Sequence, residues 1–427
     1  MEYTGQELMS WCETIEGAAK DFGLLFYPQE FEIIGHKEMI GYEAYVGMPS
    51  RYPHWSFGKS FERTESLYKY NLTGLPYEMV INSDPCLAYL MKDNTLLLQI
   101  LTIAHVYGHN DFFKNNRLFK EGTRASYTLE MFKNNAGMVR EYINDPSIGY
   151  DEVEKVLNAA HAVRFQVNRV VGIAKMPHPG VKNEASEDDL MGFIMAYGNL
   201  TEWQKNILNV VRKETLYFIP QIETKIMNEG WASYWHYKIL NMLNLPNSLH
   251  IEFIKRHNDV IRPAMGRINP YHLGFEMYKD IEKRYGIEKI FEIRMLERDD
   301  SFIRRYLTKD LCHDLNLFQY IKEDDDYFVD EISDDSGWQK IRNTLCSNSG
   351  MGMMPDIKVD SISKHNNALV LNHIHEGRDL NSAYTEATLK HIYDLWGYPI
   401  QLNTKLKHKN IQYFCDDSKK VTLNYVG

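Results

Sequence analysis

Paired cysteines are missing from this chain. The five thiols, Cys12, Cys86, Cys312, Cys346 and Cys415, are scattered, odd in number and never spaced CxxC. That excludes a disulfide framework and fits a reducing compartment. Long apolar runs are missing too. No stretch approaches 18 uncharged apolar residues, so no membrane span is expected. The first residues, MEYTGQELMSWCETIEGAAKDFG, are acidic and amphipathic, which does not describe a signal peptide. A cytoplasmic location is expected. Positive charge is in deficit: the formal net charge is −10, which argues against nucleic-acid binding through a broad basic surface. There is no P-loop, no GxGxxG fingerprint and no GxSxG elbow.

What is present is ordinary in bulk and unusual in its rings. The 427 residues suffice for one large or two to three ordinary domains, and 44% hydrophobic with 25% charged residues suits a globular chain. Aromatic content is 13%, with 28 tyrosines. Tyrosine and tryptophan bury much area but need a partner for the polar tip, so semi-polar cores and a ring-lined cleft are expected.

Residues 4–23 carry Leu8, Trp11, Ile15 and Ala18 at helical spacing. The stretch 48–77, rich in aromatics, glycine and proline, reads as ordered irregular structure over a cleft. Tyr77–Asn82 and Cys86–Met91 read as short strands around Ser83-Asp84-Pro85. From about Asn94 to His109 the chain is helical and apolar nearly all round, hence buried. Residues 125–170 and 186–245 are mostly helical by period. Thr201 and Gln204 suggest a capping box, and Pro220 reads as the start of the helix running through Glu229 to Leu240. Further helices are expected at 247–260, 271–285 and 298–306. The charge run Glu323-Asp324-Asp325-Asp326 marks a boundary between a mainly helical domain, 1–322, and a small α+β domain, 323–427. Strand-like runs at 357–363, 368–374, 398–405, 411–415 and 420–425 surround one helix, 380–396.

Two remote segments carry the chemistry. His105 and His109 are four apart, ~40° of arc and one turn of rise, so both imidazoles can reach one ion. Glu229 lies in an aromatic, apolar run, where a carboxylate needs a cation or several hydrogen bonds. His236 is seven residues on and returns to the same face within ~20°. Two histidines one turn apart with a distant glutamate form a zinc ligand set with an open fourth position. The bland reading is two core histidines on backbone carbonyls and a glutamate paired with a nearby Lys or Arg.

The segment Asn228-Glu229-Gly230-Trp231-Ala232-Ser233-Tyr234 resembles the third-ligand helix of zinc metallopeptidases, and the preceding strand pair resembles the arrangement ahead of their active-site helix. That resemblance implies a mostly α fold with a zincin-like (gluzincin-like) core containing a short strand pair, plus the small C-terminal α+β domain. One departure matters. The glutamate that follows the first histidine in those enzymes, the general base, is Val106 here. His236, Tyr107, Asp111 and Glu223 are candidate substitutes, and only His236 has a geometric argument. Asp111 is otherwise a partner for a ligand histidine or a helix-end residue. His54, the cluster His257-Asn258-Asp259, and the pair His373 and His375 read as structural or surface residues.

Longer runs carry a family resemblance: Tyr52-Pro53-His54-Trp55-Ser56-Phe57-Gly58, Asn82-Ser83-Asp84-Pro85-Cys86, Ala104–His109, Lys225–His236, Arg256-His257-Asn258-Asp259, Asn269-Pro270-Tyr271-His272-Leu273-Gly274-Phe275 and His373-Ile374-His375-Glu376-Gly377-Arg378. They resemble the stage V sporulation protein R (SpoVR) family over nearly the whole chain. The resemblance implies a role connected with the spore cortex, a peptidoglycan layer. It also implies, as partners, a serine protein kinase and a protein with a von Willebrand-type domain. Two functions are weighed. One is an atypical metal-dependent hydrolase acting on an amide bond, with zinc (or Mn or Fe) on His105, His109 and Glu229, and His236 as acid/base or fourth ligand. The other is a non-catalytic scaffold that keeps a degenerate site.

Overall fold

The computed structural model describes residues 3–70, 76–168, 188–263, 267–323 and 326–426. The fold is mostly helical, with small sheets and a strand-rich C-terminal part. The chain separates into two compact units. One comprises Met1–Arg51, Trp55–Met131 and Pro220–Met353; the other comprises Tyr52–His54, Phe132–Ile219 and Met354–Gly427. Among the described residues, no helix is long and apolar enough to cross a membrane. All five cysteines are free.

The first unit is built on the helix Leu96–Asn115. Thr95 caps it, its hydroxyl accepting from the Leu98 N–H at 3.3 Å. Every residue except Leu96 and Lys114 is buried. Polar side chains on its C-terminal half grip the incoming chain. Asn110 pairs with both backbone groups of Tyr27, at 2.8 and 2.9 Å, and Lys114 donates to the Phe26 carbonyl at 2.7 Å. Those contacts aim the strand Gln29–Ile34 into a three-stranded sheet. There it runs parallel to the central strand Cys86–Met91, whose other side pairs antiparallel with Glu78–Ile81.

The helix Lys225–Met242 crosses beside it, and small residues set the separation. A Cβ placed on Gly108 would lie 2.7 Å from the Ala232 Cα. On the opposite side, a Cβ on Gly230 would lie 2.4 Å from Gly274 Cα, in the helix Pro270–Tyr285. Three helices are thus pressed together at nearly bare backbone. Asp299 secures the start of the middle one, accepting from the N–H groups of Ile226 and Met227 at 2.8 and 2.9 Å.

The second unit holds helices Gly149–Val163 and Leu190–Tyr197 and a five-stranded sheet. The strand order is Val421–Tyr425, Lys409–Cys415, Ile400–Leu406, Leu369–His373, Ile357–Ile362. All neighbours are antiparallel except Leu369–His373 with Ile400–Leu406, which are parallel and joined through the helix Ser382–Trp396. That helix buries Leu389, Ile392 and Leu395, the apolar stripe expected from period.

Two readings need correction. The segment 48–77 is not irregular throughout: Trp55–Lys69 is a helix. Phe57, Phe61, Leu67 and Tyr68 fall near one helical face, with Lys59, Glu62, Arg63 and Glu65 between them, and ring density hid that period. Residues 71–75 of this segment lie outside the described residues, as do 169–170 and 186–187 of the two helical stretches. Pro220 does not open a helix but sits inside Glu202–Glu223. Proline removes one bond and crowds the carbonyl four back. The helix runs three residues further, and the next begins at Lys225, beside the Asp299 cap. The expected run at 323–326 includes 324–325, which are not described. Around it, Gln319–Glu323 and Asp326–Glu331 pair antiparallel.

The glycine contacts give a stability test. Gly230→Ala forces a methyl against backbone and should cost about 2 kcal/mol or more. Gly17→Ala, on the exposed face of Gly5–Asp21 with nothing within 4 Å of the new Cβ, should stabilise, by about 0.5–1 kcal/mol. Urea unfolding of the two variants checks the pair; equal effects would contradict the close approach.

Candidate metal centre

His105 and His109 project from one face of Leu96–Asn115 toward Glu229, which lies just before the Gly230 contact. Glu229 Oε2 is 3.5 Å from His109 Nε2 and 3.9 Å from His105 Nε2. A second carboxylate enters from the sheet. Glu78, first residue of the outer strand Glu78–Ile81, places Oε1 3.9 Å from His105 Nε2. The ligand atoms of Glu78, His105 and His109 lie within 4.8 Å of one another. The imidazoles are shut in, at 4% and 8% side-chain exposure, while the carboxylates keep 18% and 19%.

The histidines are oriented from behind. His109 Nδ1 is 2.9 Å from Asn228 Oδ1, which can only accept, so the Nδ1 carries the proton and Nε2 presents a lone pair. His105 Nδ1 is 3.0 Å from His236 Nδ1, and His236 Nε2 is 2.7 Å from His257 Nδ1. Tyr271, in the first turn of Pro270–Tyr285 and one turn before Gly274, stacks on His105 at 6.0 Å between ring centroids.

Electrostatics separate the two carboxylates. Burial pushes Glu78 up; His105 opposes this and the Glu229 charge adds to it, leaving it above the ordinary range. Burial also acts on Glu229, but His105, His109 and Tyr271 more than offset it, and its carboxyl lies below the ordinary value. Burial, reinforced by His105, takes His109 down to about 4. Burial lowers His236 well below its usual value, and lowers His257 to about 4 with help from Lys279. All three imidazoles are neutral at pH 7. The Glu229 charge, then burial, raises the Tyr271 phenol well above its usual value.

The donor set suits a cation. Among the described residues, Glu229 Oε2 is buried with no hydrogen-bond partner. At 3.5 and 3.9 Å from the two Nε2 atoms it is beyond hydrogen-bond length. Donor atoms sharing one tetrahedral zinc, with bonds of about 2.0–2.1 Å, are about 3.4 Å apart. A carboxylate oxygen facing an imidazole lone pair in a buried space repels unless a positive charge separates them.

The other residues singled out in the sequence lie elsewhere. His236 stands behind His105, with both ring nitrogens engaged by histidines. The Tyr107 hydroxyl bonds Glu16 Oε2 at 3.1 Å. Glu223 is 3.7 Å from Arg298. Asp111 is a fully buried anchor, accepting from Leu25 N–H at 2.8 Å and Trp231 Nε1–H at 2.9 Å, with Arg294 at 3.3 Å. Burial lifts it to about 6 against the pull of Arg294. His54 meets Asn158 and His161 in the second unit. His373 bonds Thr404, and His375 bonds Asp379. Sequence reasoning missed Glu78 and Tyr271. The available signals were an acid opening an otherwise apolar strand and a tyrosine just after an Asn-Pro helix start.

The class is therefore a mostly helical protein with a buried imidazole–carboxylate cluster between three glycine-spaced helices and a sheet edge. Comparison places it in a family: the SpoVR-like protein model matches residues 2–187 and 178–354, and the SpoVR-like C-terminal domain model matches 355–407. The chain belongs to the SpoVR family. It is also 32% identical over 484 residues to the uncharacterized protein YcgB of Escherichia coli (strain K12), covering 96% of this chain and 94% of that one. No solved structure matches.

The buried neutral histidines fix a pH dependence. An unfolded chain protonates them near 6.5, whereas folded His257 resists protonation until about 4. Its contribution to stability is thus full above about 6.5 and is lost as pH falls toward 4. His257→Asn in metal-stripped protein should flatten the stability–pH slope in that window by up to one proton, about 1.4 kcal/mol per pH unit. Urea unfolding at several pH values checks this; unchanged slopes would contradict it.

Proposed function

We propose that this SpoVR-family protein binds one divalent metal ion on His105, His109 and Glu229 and acts as an atypical metal-dependent hydrolase. The observation that carries the reading is the orphaned Glu229 oxygen aimed at two imidazole nitrogens, one of which presents its lone pair through the Asn228 contact. Zinc suits the donors best, and two nearby carboxylates also suit manganese or iron. When bound, such an ion would polarise a carbonyl and make water a stronger nucleophile.

The chain's own groups supply the rest. Val106, fully buried, gives no base. Glu78 reaches the same space from the strand, and its raised proton affinity suits it to take a proton from water. Glu229, held ionised, suits the ligand role. Opposed shifts of two neighbouring carboxylates are the usual mark of divided labour. The strand pair ahead of the histidine helix and a third ligand from a later helix support a zincin-like core.

The substrate class we infer is an amide bond in a peptide or peptidoglycan precursor, in keeping with the spore-cortex association of the resembled family. A second reading has its own support in Val106: a regulatory scaffold with a degenerate site, working with a serine protein kinase and a von Willebrand-type-domain protein. Elemental analysis of the purified chain tests the main reading. About one equivalent of Zn, Mn or Fe is expected, abolished in His105→Ala and Glu229→Ala. Metal-free protein from metal-replete medium would favour the scaffold.

A further inference from the structure

Behind the candidate ligand His105 lie two imidazoles, His236 and His257, that the hydrolase reading does not use. His105, His236 and His257 are joined nitrogen to nitrogen at 3.0 and 2.7 Å. They come from three helices, Leu96–Asn115, Lys225–Met242 and Asn247–Val260. We infer that His236 and His257 are positioning residues, an imidazole chain that holds His105 in the tautomer able to bind a cation through Nε2. This rests on the metal reading above and adds to it the part that fixes the ligand.

Each neutral imidazole has one N–H and one lone pair, so three in series can be ordered in only two directions. Running outward, His105 Nδ1–H donates to His236 Nδ1, and His236 Nε2–H donates to His257 Nδ1. His105 Nε2 then faces Glu78 and Glu229 as a lone pair, like His109 Nε2 one turn away. Running inward, His105 carries its proton on Nε2, with the two carboxylate oxygens at 3.9 Å, too far for a hydrogen bond. Only the outward order gives two lone pairs on one space.

The far end is closely packed. His257 is 3% exposed and is packed between the rings of Tyr237, Phe253 and Phe275, with centroids 4.8, 6.0 and 5.0 Å away. His236 is fully buried. Of the charged and titratable groups facing this end, Lys279 and His105 act on His257, and His105, His109 and His257 act on His236. Among the described residues, neither His236 nor His257 is in an ion pair with a carboxylate. Metal-ligating histidines usually donate to a carboxylate, a carbonyl or water. A neutral imidazole adds no charge, so the anionic character of the site is left to Glu78 and Glu229. The chain also gives the Arg256-His257-Asn258-Asp259 run a purpose at the metal centre.

The test compares His257→Leu with His257→Asn in the full chain, reading zinc affinity by chelator competition. Both lose the ring, but only asparagine keeps an acceptor where Nδ1 stood. Leucine should weaken zinc about 10–100-fold, and asparagine should stay within about threefold of wild type. In zinc-loaded wild type, nitrogen-15 NMR of the histidines should show a proton on His105 Nδ1 and none on His257 Nδ1. If His257→Leu fails to fold, as its melting curve would reveal, the asparagine variant and the NMR signals decide. Equal weakening by both substitutions, or a proton on His257 Nδ1, overturns the chain. Wild type that binds no zinc overturns the metal reading itself, so the two failures are distinct.

Discussion

The site exists because three helices approach at glycine. Gly108 lies against Ala232, and Gly230 against Gly274, so tightly that an added methyl on either side would touch backbone. Each contact is next to a polar residue of the cluster: His109 follows Gly108, Glu229 precedes Gly230, and Tyr271 lies one turn before Gly274. Large side chains at these crossings would part the helices by several ångströms and dissolve the cluster. Packing and chemistry are therefore one constraint here.

Two buried charge systems in the first unit contrast with each other. Asp111 is neutralised within the protein, by Arg294, the Trp231 indole N–H and a backbone amide. Arg294 in turn lies over the Trp231 and Phe291 rings at 5.5 and 5.2 Å. A buried pair of this kind is a weak source of net stability, but breaking it leaves an uncompensated charge. Glu229 and Glu78 face imidazoles and no Arg or Lys in an ion pair among the described residues. In our reading the compensating charge is one the chain acquires rather than encodes.

Period made much of the fold legible. The helices at 5–21, 247–260 and 382–396, and every strand of the C-terminal sheet, fall within a few residues of where apolar spacing put them. The helix at 55–69 was obscured because its rings were taken for cleft lining, and Pro220 because proline is commoner at a helix start than near its end. Within the site, His105 and His109 share a face through local geometry alone, and Glu229 is conspicuous as an acid among rings. The structure brings those three together. Glu78 and Tyr271 arrive from a strand and another helix, and no local rule reports which distant segments meet. His236 was read onto Glu229's face, but seven residues are two turns and about 10 Å of rise. It meets His105 from behind instead.

The central claim is that one cation sits among His105 Nε2, His109 Nε2 and Glu229 Oε2. Crystals of the full chain grown with zinc, measured on both sides of the zinc absorption edge, address it most directly. The account predicts a single anomalous peak about 2 Å from each of these atoms. A map with no peak there, and Glu229 hydrogen-bonded directly to a protonated His109, would contradict it.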